Sequence, residues 1–291
     1  MATTPDPERY SLGPARLREI YEQDVAPVIF RAARPVDQPI AILLGGQPGA
    51  GKTPMQYQAD RELFDHGGVA KIIGDDLRAF LPHYRRLQRE DDQTAAFYTD
   101  RDSGRLVEMA LDDAAKRRVN VLVEGTMRSP DVVAATLQRF RDAGYQTEAR
   151  ALAISPELSS LGIMQRYIAQ KESRGVGRMT TPQAHQAALD GMLDTLDRLQ
   201  DGRLADRLTI YRRGGEIIHS FDLTGPMRDG EQRARAIVQD ERDRPLTAEG
   251  RAYVSAEYDR LLPAFERLGM VRQVPVQRPE QDGPQRIDPE R

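Results

Sequence analysis

The sequence predicts an α/β domain of three layers, helices packed on both sides of a central, mainly parallel sheet, with a helical extension at its C-terminal end. Three observations predict it. Short apolar runs of strand length alternate with longer amphipathic stretches of helical period. The first apolar run empties into a glycine-rich loop, "GGQPGAGKT". After residue 221 the strand signals stop and charge-dense helical patterns take over.

In chain order, residues 1–13 read as a flexible start. Residues 15–33 carry Leu17, Ile20, Tyr21 and Val25 near a 3.6-residue period, and Pro27 disturbs that helix. "IAILL", residues 40–44, is a continuous apolar run ended by glycines, as in a strand buried on both faces. A helix is expected over 52–64. Further strands are expected at 69–73, 119–125, 149–154 and 208–213, separated by helices at 104–118, 131–144, 156–174 and 181–200. Two more helices are expected at 229–244 and 246–268. The last presents Tyr253, Tyr258, Leu261, Leu262 and Phe265 on its apolar face, and Pro263 is expected to kink it or end it early. Residues 271–291, rich in Pro, Gln and Arg, read as a disordered tail. The organisation is therefore an N-terminal segment (1–37), a nucleotide-binding α/β domain (38–222), a helical extension (223–270) and a tail.

Composition bounds the function. The 291 residues include 30% charged and 39% hydrophobic, ordinary for a globular protein, and the net charge is -3. That balance argues against a general nucleic-acid or membrane-surface binder; the basic triplet Arg85, Arg86 and Arg89 is the local exception. There is no cysteine, which excludes disulfides and thiolate metal sites. No apolar run approaches the length of a membrane span and the first residues lack an apolar signal core, so a cytoplasmic protein is expected.

The loop Gly46-Gln47-Pro48-Gly49-Ala50-Gly51-Lys52-Thr53 fits G-x-x-x-x-G-K-[ST] at every fixed position. Glycines let successive backbone N–H groups turn inward on a phosphate, and the following helix aims its positive end at the same anion. Lys52 suits the outer phosphates, and the Thr53 hydroxyl suits a magnesium ion. A plain strand-to-helix turn is the competing reading. Only four of the 42 basic residues are lysines, so Lys52 stands against a strong drift to arginine; a compact ammonium fits such a loop better than a planar guanidinium. Pro54 is tolerable because it falls in the first helical turn. ATP or GTP, with Mg2+, is the expected ligand.

Other polar residues should converge on the loop, because ligands of such sheets bind at the carboxyl ends of the strands. The second strand runs into Gly74-Asp75-Asp76-Leu77-Arg78. A kinase acting on a hydroxyl needs a carboxylate there, although either aspartate also suits a helix cap. The third strand ends Glu124-Gly125-Thr126-Met127-Arg128, a polar cluster suited to holding a substrate or to an ordinary loop exit. Arg166 on a helix and Arg178 after a glycine-containing break could close over phosphates, or be two solvated arginines in an Arg-rich chain.

In this order, "GGQPGAGKT", "IIGDDLR" followed by "PHY", "VLVEGTMR", "QRY" and "GRMTTPQAHQ" resemble the zeta toxin family over about residues 38–200. The resemblance implies a P-loop kinase that transfers the ATP γ-phosphate to the 3′-hydroxyl of UDP-N-acetylglucosamine, a sugar nucleotide. It implies Asp75 as the base, Lys52 and Thr53 on phosphate and magnesium, and Arg166 and Arg178 as a clamp on the triphosphate. Arg78, Glu108, Glu124, Thr126, Arg128 and Thr136 would bind the acceptor. It also implies a small antitoxin protein as partner. Pro54 and the stretch 81–102 depart from the family pattern, and the latter is where acceptor choice could change. Two other readings stay open: a kinase of the same fold for another hydroxyl, such as that of NAD, another nucleotide or an antibiotic, and a non-catalytic nucleotide-binding module.

Overall fold

The computed structural model describes residues 6–226 and 230–270. Six strands form one sheet: β1 (Ile40–Gly45), β2 (Ala70–Ile73), β3 (Val121–Gly125), β4 (Gln146–Leu152), β5 (Arg207–Tyr211) and β6 (Ile217–Asp222). The helices are α1 (Pro14–Ile20), α2 (Ala26–Ile29), α3 (Thr53–Leu63), α4 (Gly74–Leu77), α5 (Tyr84–Glu90), α6 (Ala95–Arg117), α7 (Pro130–Asp142), α8 (Pro156–Arg174), α9 (Pro182–Gly202), α10 (Ala234–Asp243) and α11 (Ala248–Arg267).

The strand order is β2-β3-β1-β4-β5-β6, parallel except for the β5–β6 pair. The chain leaves β1 outward to β2, returns to β3, then crosses β1 to β4. The carboxyl end of β1 is therefore the reversal point at which ligands of such sheets bind. Register brings the exits level: Leu44 lies beside Glu124, and Glu124 beside Ile73, so the loops after β1, β2 and β3 open at one place.

Alternation along the buried strands feeds three clusters, one on one face of the sheet and two on the other. Ile42, Leu44, Leu122 and Leu152 pack on Met55, Ala59 and Leu63 of α3. On the other face Ala41, Ile72 and Val121 pack on α1 and α6, and Leu43, Ala149 and Leu208 pack on α7, α9 and α10. The helix expected at 15–33 is continuous through Ile29, with a π turn at Tyr21–Val25 just before Pro27. The wider turn accommodates a residue that cannot donate to the helical ladder.

Several expectations need correction. The start of the chain is not loose from Asp6 onward: the Leu12 N–H donates to Asp102 Oδ2 at 2.7 Å, and Tyr10 packs edge-on to Tyr98. Residues 1–5 and the tail at 271–291 lie outside the described residues, as does residue 229, where the first extension helix was expected to start; the helix itself begins at Ala234. α6 starts at Ala95, nine residues earlier than expected. Strand β6 was missed. α11 runs through Pro263 to Arg267 rather than ending there. Tyr253 is 46% exposed, and Val254 takes the inward position instead.

The extension is integral to the body. Val254, Leu261 and Phe265 of α11 pack on Leu161, Met164, Tyr167 and Ile168 of α8. No helix among the described residues is long and apolar enough to cross a membrane.

Candidate active site

The loop after β1 is shaped by two glycines in left-handed conformations, Gly49 at φ +80 and Gly51 at φ +81. Only glycine fits at Gly49 for a second reason: a Cβ there would collide with the Ser159 carbonyl of α8. The approach is mutual, because a Cβ on Gly162 of α8 would collide with the Gly49 carbonyl. The loop and α8 thus interlock backbone to backbone. Thr53 opens α3, and Pro54 sits in its first turn, as expected. Lys52 Nζ donates to the Gly46 carbonyl at 2.9 Å and lies 3.7 Å from Glu124 Oε1. Burial pushes the Lys52 ammonium down, against the upward pull of Glu124; Arg166 and Arg178 add repulsion.

α8 is capped at its start by Ser155, whose hydroxyl accepts from the Leu158 N–H, and at its end by Gly175 in a left-handed conformation. It carries Arg166 into the cleft. Burial, followed by repulsion from Arg178, pushes the Arg166 guanidinium down to about 10. Its Nη2 donates to Thr180 Oγ1 at 3.2 Å, while its buried Nε has no partner. Arg178 comes from the segment between α8 and α9 and ion-pairs with Asp75. Asp92 pins that segment: its carboxylate accepts from the Gly177 N–H at 2.7 Å and Tyr167 Oη at 3.2 Å, and pairs with Lys171 at 2.7 Å. Thr181 caps α9 by accepting from the Ala184 N–H, with Pro182 at its start, which explains the Thr-Pro pair in the sequence.

Asp75 lies at the mouth of this cleft with 44% of its side chain open to water. Burial alone would raise its carboxyl; Arg178, then Arg78, then Arg166 outweigh that and hold it below the ordinary range. Its neighbour Asp76 goes the other way, raised by burial and by Asp75 and Glu124. The cleft measures about 690 Å³, and its wall includes Thr53, Gln56, Asp75, Asp76, Tyr84, Glu124, Arg166 and Arg178.

A second cleft of about 310 Å³ opens on the other side of Glu124, between α6 and α7. It gathers Glu108, Glu124, Thr126, Arg128 and Thr136, the residues expected to hold the acceptor, against apolar walls from Val107, Leu111, Val132 and Val133. Its floor is strained: Met127 sits at φ +53. α9 holds it there, since Thr195 Oγ1 donates to the Met127 carbonyl at 2.6 Å and Gly191 lets the Arg128 carbonyl approach. Glu108 is also paired with Arg139 at 2.6 Å.

Arg78 needs correction. It is 8% exposed and faces the start of α6, donating to the Ala96 carbonyl at 2.8 Å, Thr99 Oγ1 at 3.1 Å and Asp100 Oδ1 at 2.6 Å. Only its Nε turns to the site, 3.4 Å from Asp75 Oδ1. It braces Asp75 and lines neither cleft. Sequence reasoning missed Gln56, which donates to Glu124, and Asp92. Tyr84 stood in the "PHY" stretch without a role. No group of three or more His, Asp or Glu side chains among the described residues forms a metal site.

Compared with known proteins, the Zeta toxin family model matches residues 28–222. The protein named Toxin PezT, from Streptococcus pneumoniae serotype 4, is 33% identical over 195 residues, covering 66% of this chain and 75% of that protein. Toxin zeta of Enterococcus hirae is 27% identical over 212 residues, 72% of each. Among solved structures, a chain of the PezAT chromosomal toxin–antitoxin system of Streptococcus pneumoniae superposes with a TM-score of 0.74 at 25% identity, covering 88% of this chain and 99% of that one. A chain of the AvrRxo1-ORF1:ORF2 complex with ATP superposes at 0.54 with 14% identity, over 90% of this chain and 91% of that one, a likeness of fold alone.

Proposed function

This chain belongs to the zeta toxin family, and on that premise we propose that it is an ATP-dependent kinase of a sugar-nucleotide hydroxyl, the 3′-hydroxyl of UDP-N-acetylglucosamine in the first instance. One observation carries the reading: Asp75, Arg166 and Arg178 line a single cleft with Thr53, Lys52 reaches its edge 3.7 Å from Glu124, and Glu124 joins that cleft to a second one with polar groups at hand. Binding alone calls for neither a carboxylate at the phosphate end nor an arginine clamp.

In this reading Asp75 orients the acceptor hydroxyl and receives its proton. The hydroxyl oxygen forms a bond to the γ-phosphorus, the bond to the β-bridging oxygen breaks, and ADP leaves. A carboxylate held ionised by Arg178 and Arg78 is a weak base, which suits a loose transition state in which the proton moves late. Lys52, Arg166 and Arg178 stabilise the charge on the transferring group. The fit to a triphosphate rests on the Gly49 and Gly51 cradle and on the unpartnered Arg166 Nε. Thr53 would hold Mg2+, which when bound neutralises phosphate charge. Glu108, Glu124, Thr126, Arg128 and Thr136 would hold the acceptor, with Arg78 bracing Asp75.

By analogy with the toxin–antitoxin system of its structural neighbour, the chain would act as a toxin restrained by a small antitoxin. A second reading keeps the kinase and changes the acceptor to NAD, another nucleotide or an antibiotic. The apolar walls of the second cleft favour keeping it in play. The experiment is a transfer assay with Mg-ATP against a panel of these acceptors, read by mass spectrometry for one added phosphoryl group. Phosphorylation of UDP-N-acetylglucosamine above the others supports the first reading; a product on another acceptor selects the second; nucleotide binding with no transfer to any of them sinks both.

A further inference from the structure

The C-terminal extension places a cation beneath the P-loop. Arg242, near the end of α10, is 5% exposed. Its Nη1 donates to the Leu189 carbonyl at 2.9 Å, and its Nη2 lies 3.5 Å from Gln47 Oε1 and 3.5 Å from Met192 Sδ. Its Nε is buried without a partner. Among the described residues no carboxylate ion-pairs with it; Asp190 and Asp243 act on it only from further off. Burial pushes its guanidinium down to about 10, so it remains charged at neutral pH. A buried charge is costly unless something compensates it, and here the fold supplies dipoles at contact and the carboxylates of Asp190 and Asp243 only at a distance.

Gln47 says where compensation could come from. It is the second residue of the P-loop and fully buried. Its Nε2 donates to the Ile154 carbonyl at 2.9 Å and reaches Ser159 Oγ at 3.4 Å. Ser159 Oγ lies 2.8 Å from His185 Nε2. Burial, then the charge of Arg242, pushes the His185 imidazole down, so it stays neutral rather than adding a second cation. Four side chains from the loop, α8, α9 and α10 thus form one buried network against the loop, and none of the four lines the main cleft.

We propose that Arg242 is a positioning residue for nucleotide binding: a buried cation whose counter-ion is the triphosphate on the P-loop, which makes α10 a working part of the nucleotide site. This rests on the ATP reading above. The path from Arg242 to the loop runs through packed protein, where screening is weak, so its field acts on the ligand without contact. Its hydrogen bond to Gln47 also fixes the loop from below. α10 lies beyond the residues matched by the family model, 28–222.

The test is calorimetric titration of Mg-ATP into the full chain and four variants. Arg242→Met should weaken binding by about tenfold or more, and Arg242→Lys should recover most of it. Met192→Glu sets a carboxylate against the guanidinium with Arg242 still present, and should weaken binding by a similar factor. Arg244→Gln removes a nearby exposed cation, 59% open to solvent, and should change nothing. A folded Arg242→Met that binds Mg-ATP within about twofold of wild type overturns the proposal, as does a loss that lysine does not rescue. If Arg242→Met fails to fold, Met192→Glu decides it: normal affinity there overturns the proposal. If the unsubstituted chain binds no Mg-ATP, the kinase reading falls and this inference with it.

Discussion

Replacing Asp92 by alanine should cost the enzyme its turnover while sparing its grip on ATP. Asp92 is 7% exposed and lies between α5 and α6, far in sequence from the groups it holds. Alanine would leave two buried donors unpaired, the Gly177 N–H and Tyr167 Oη, each costing about 1–3 kcal/mol. Lys171, 26% exposed, can turn to water and recovers part of its loss. The sum for the two donors, about 2–6 kcal/mol, brackets the roughly 3–5 kcal/mol that breaking a buried ion pair usually costs. The loss should loosen the segment around Gly177, because one of the bonds ends there and the others end on the α8 turns that lead into it. Arg178 is the next residue, so kcat should drop about tenfold to a hundredfold. The Kd for Mg-ATP, set by the P-loop across the cleft, should move by less than about threefold. Asp92→Asn keeps an oxygen for the Gly177 N–H and a donor for Tyr167, and should retain most of both stability and rate. Urea unfolding and single-turnover transfer measure the two effects. An alanine variant within about 1 kcal/mol of wild type, or one destabilised with kcat intact, would refute the reasoning.

Three further outcomes are expected. Gly162→Ala should favour the helix by about 0.5–1 kcal/mol yet weaken Mg-ATP binding at least about tenfold, because the methyl displaces Gly49; unchanged affinity by titration would show that the loop yields freely. His185 has a folded-state pKa below its unfolded value, so its contribution is present above about pH 6.5 and is lost as pH falls through the folded value. The wild-type urea midpoint should accordingly fall on acidification more steeply than that of His185→Gln, and parallel curves would contradict this. Phe265→Ala removes a fully buried ring packed 5.9 Å from that of Tyr167 and should cost about 3–5 kcal/mol; a loss under about 1 kcal/mol by denaturant unfolding would mean that α11 does not brace α8.

What could be read from the chain was what depends on neighbours in sequence. β1, β2, β3 and β5 announced themselves as largely apolar runs because buried parallel strands have little polar face, and the P-loop is a contiguous motif; β4, expected at 149–154, runs Gln146–Leu152 because its first residues, Gln146, Thr147 and Glu148, are polar. The first turns of α6 were hidden because Thr99, Asp102 and Ser103 are buried on its inner side, each satisfied by a hydrogen bond, so the apolar period breaks there. β6 is an edge strand exposed over much of its length, with only Phe221 fully buried, and offers little pattern. Arg78 was misplaced because its sequence position beside Asp75 says nothing of the Ala96–Asp100 acceptors that capture it. Asp92 and Arg242 act across 85 and 195 residues of chain, a juxtaposition only the folded backbone creates.

The central claim is tested most directly by incubating the chain, and its Asp75→Asn variant, with Mg-ATP and UDP-N-acetylglucosamine and following the product by mass. The account predicts a sugar nucleotide heavier by one phosphoryl group. Its rate of formation should fall by about a hundredfold or more in the variant, which still binds Mg-ATP. A variant that transfers phosphate as fast as the unsubstituted chain would contradict the role given to Asp75 and the mechanism built on it.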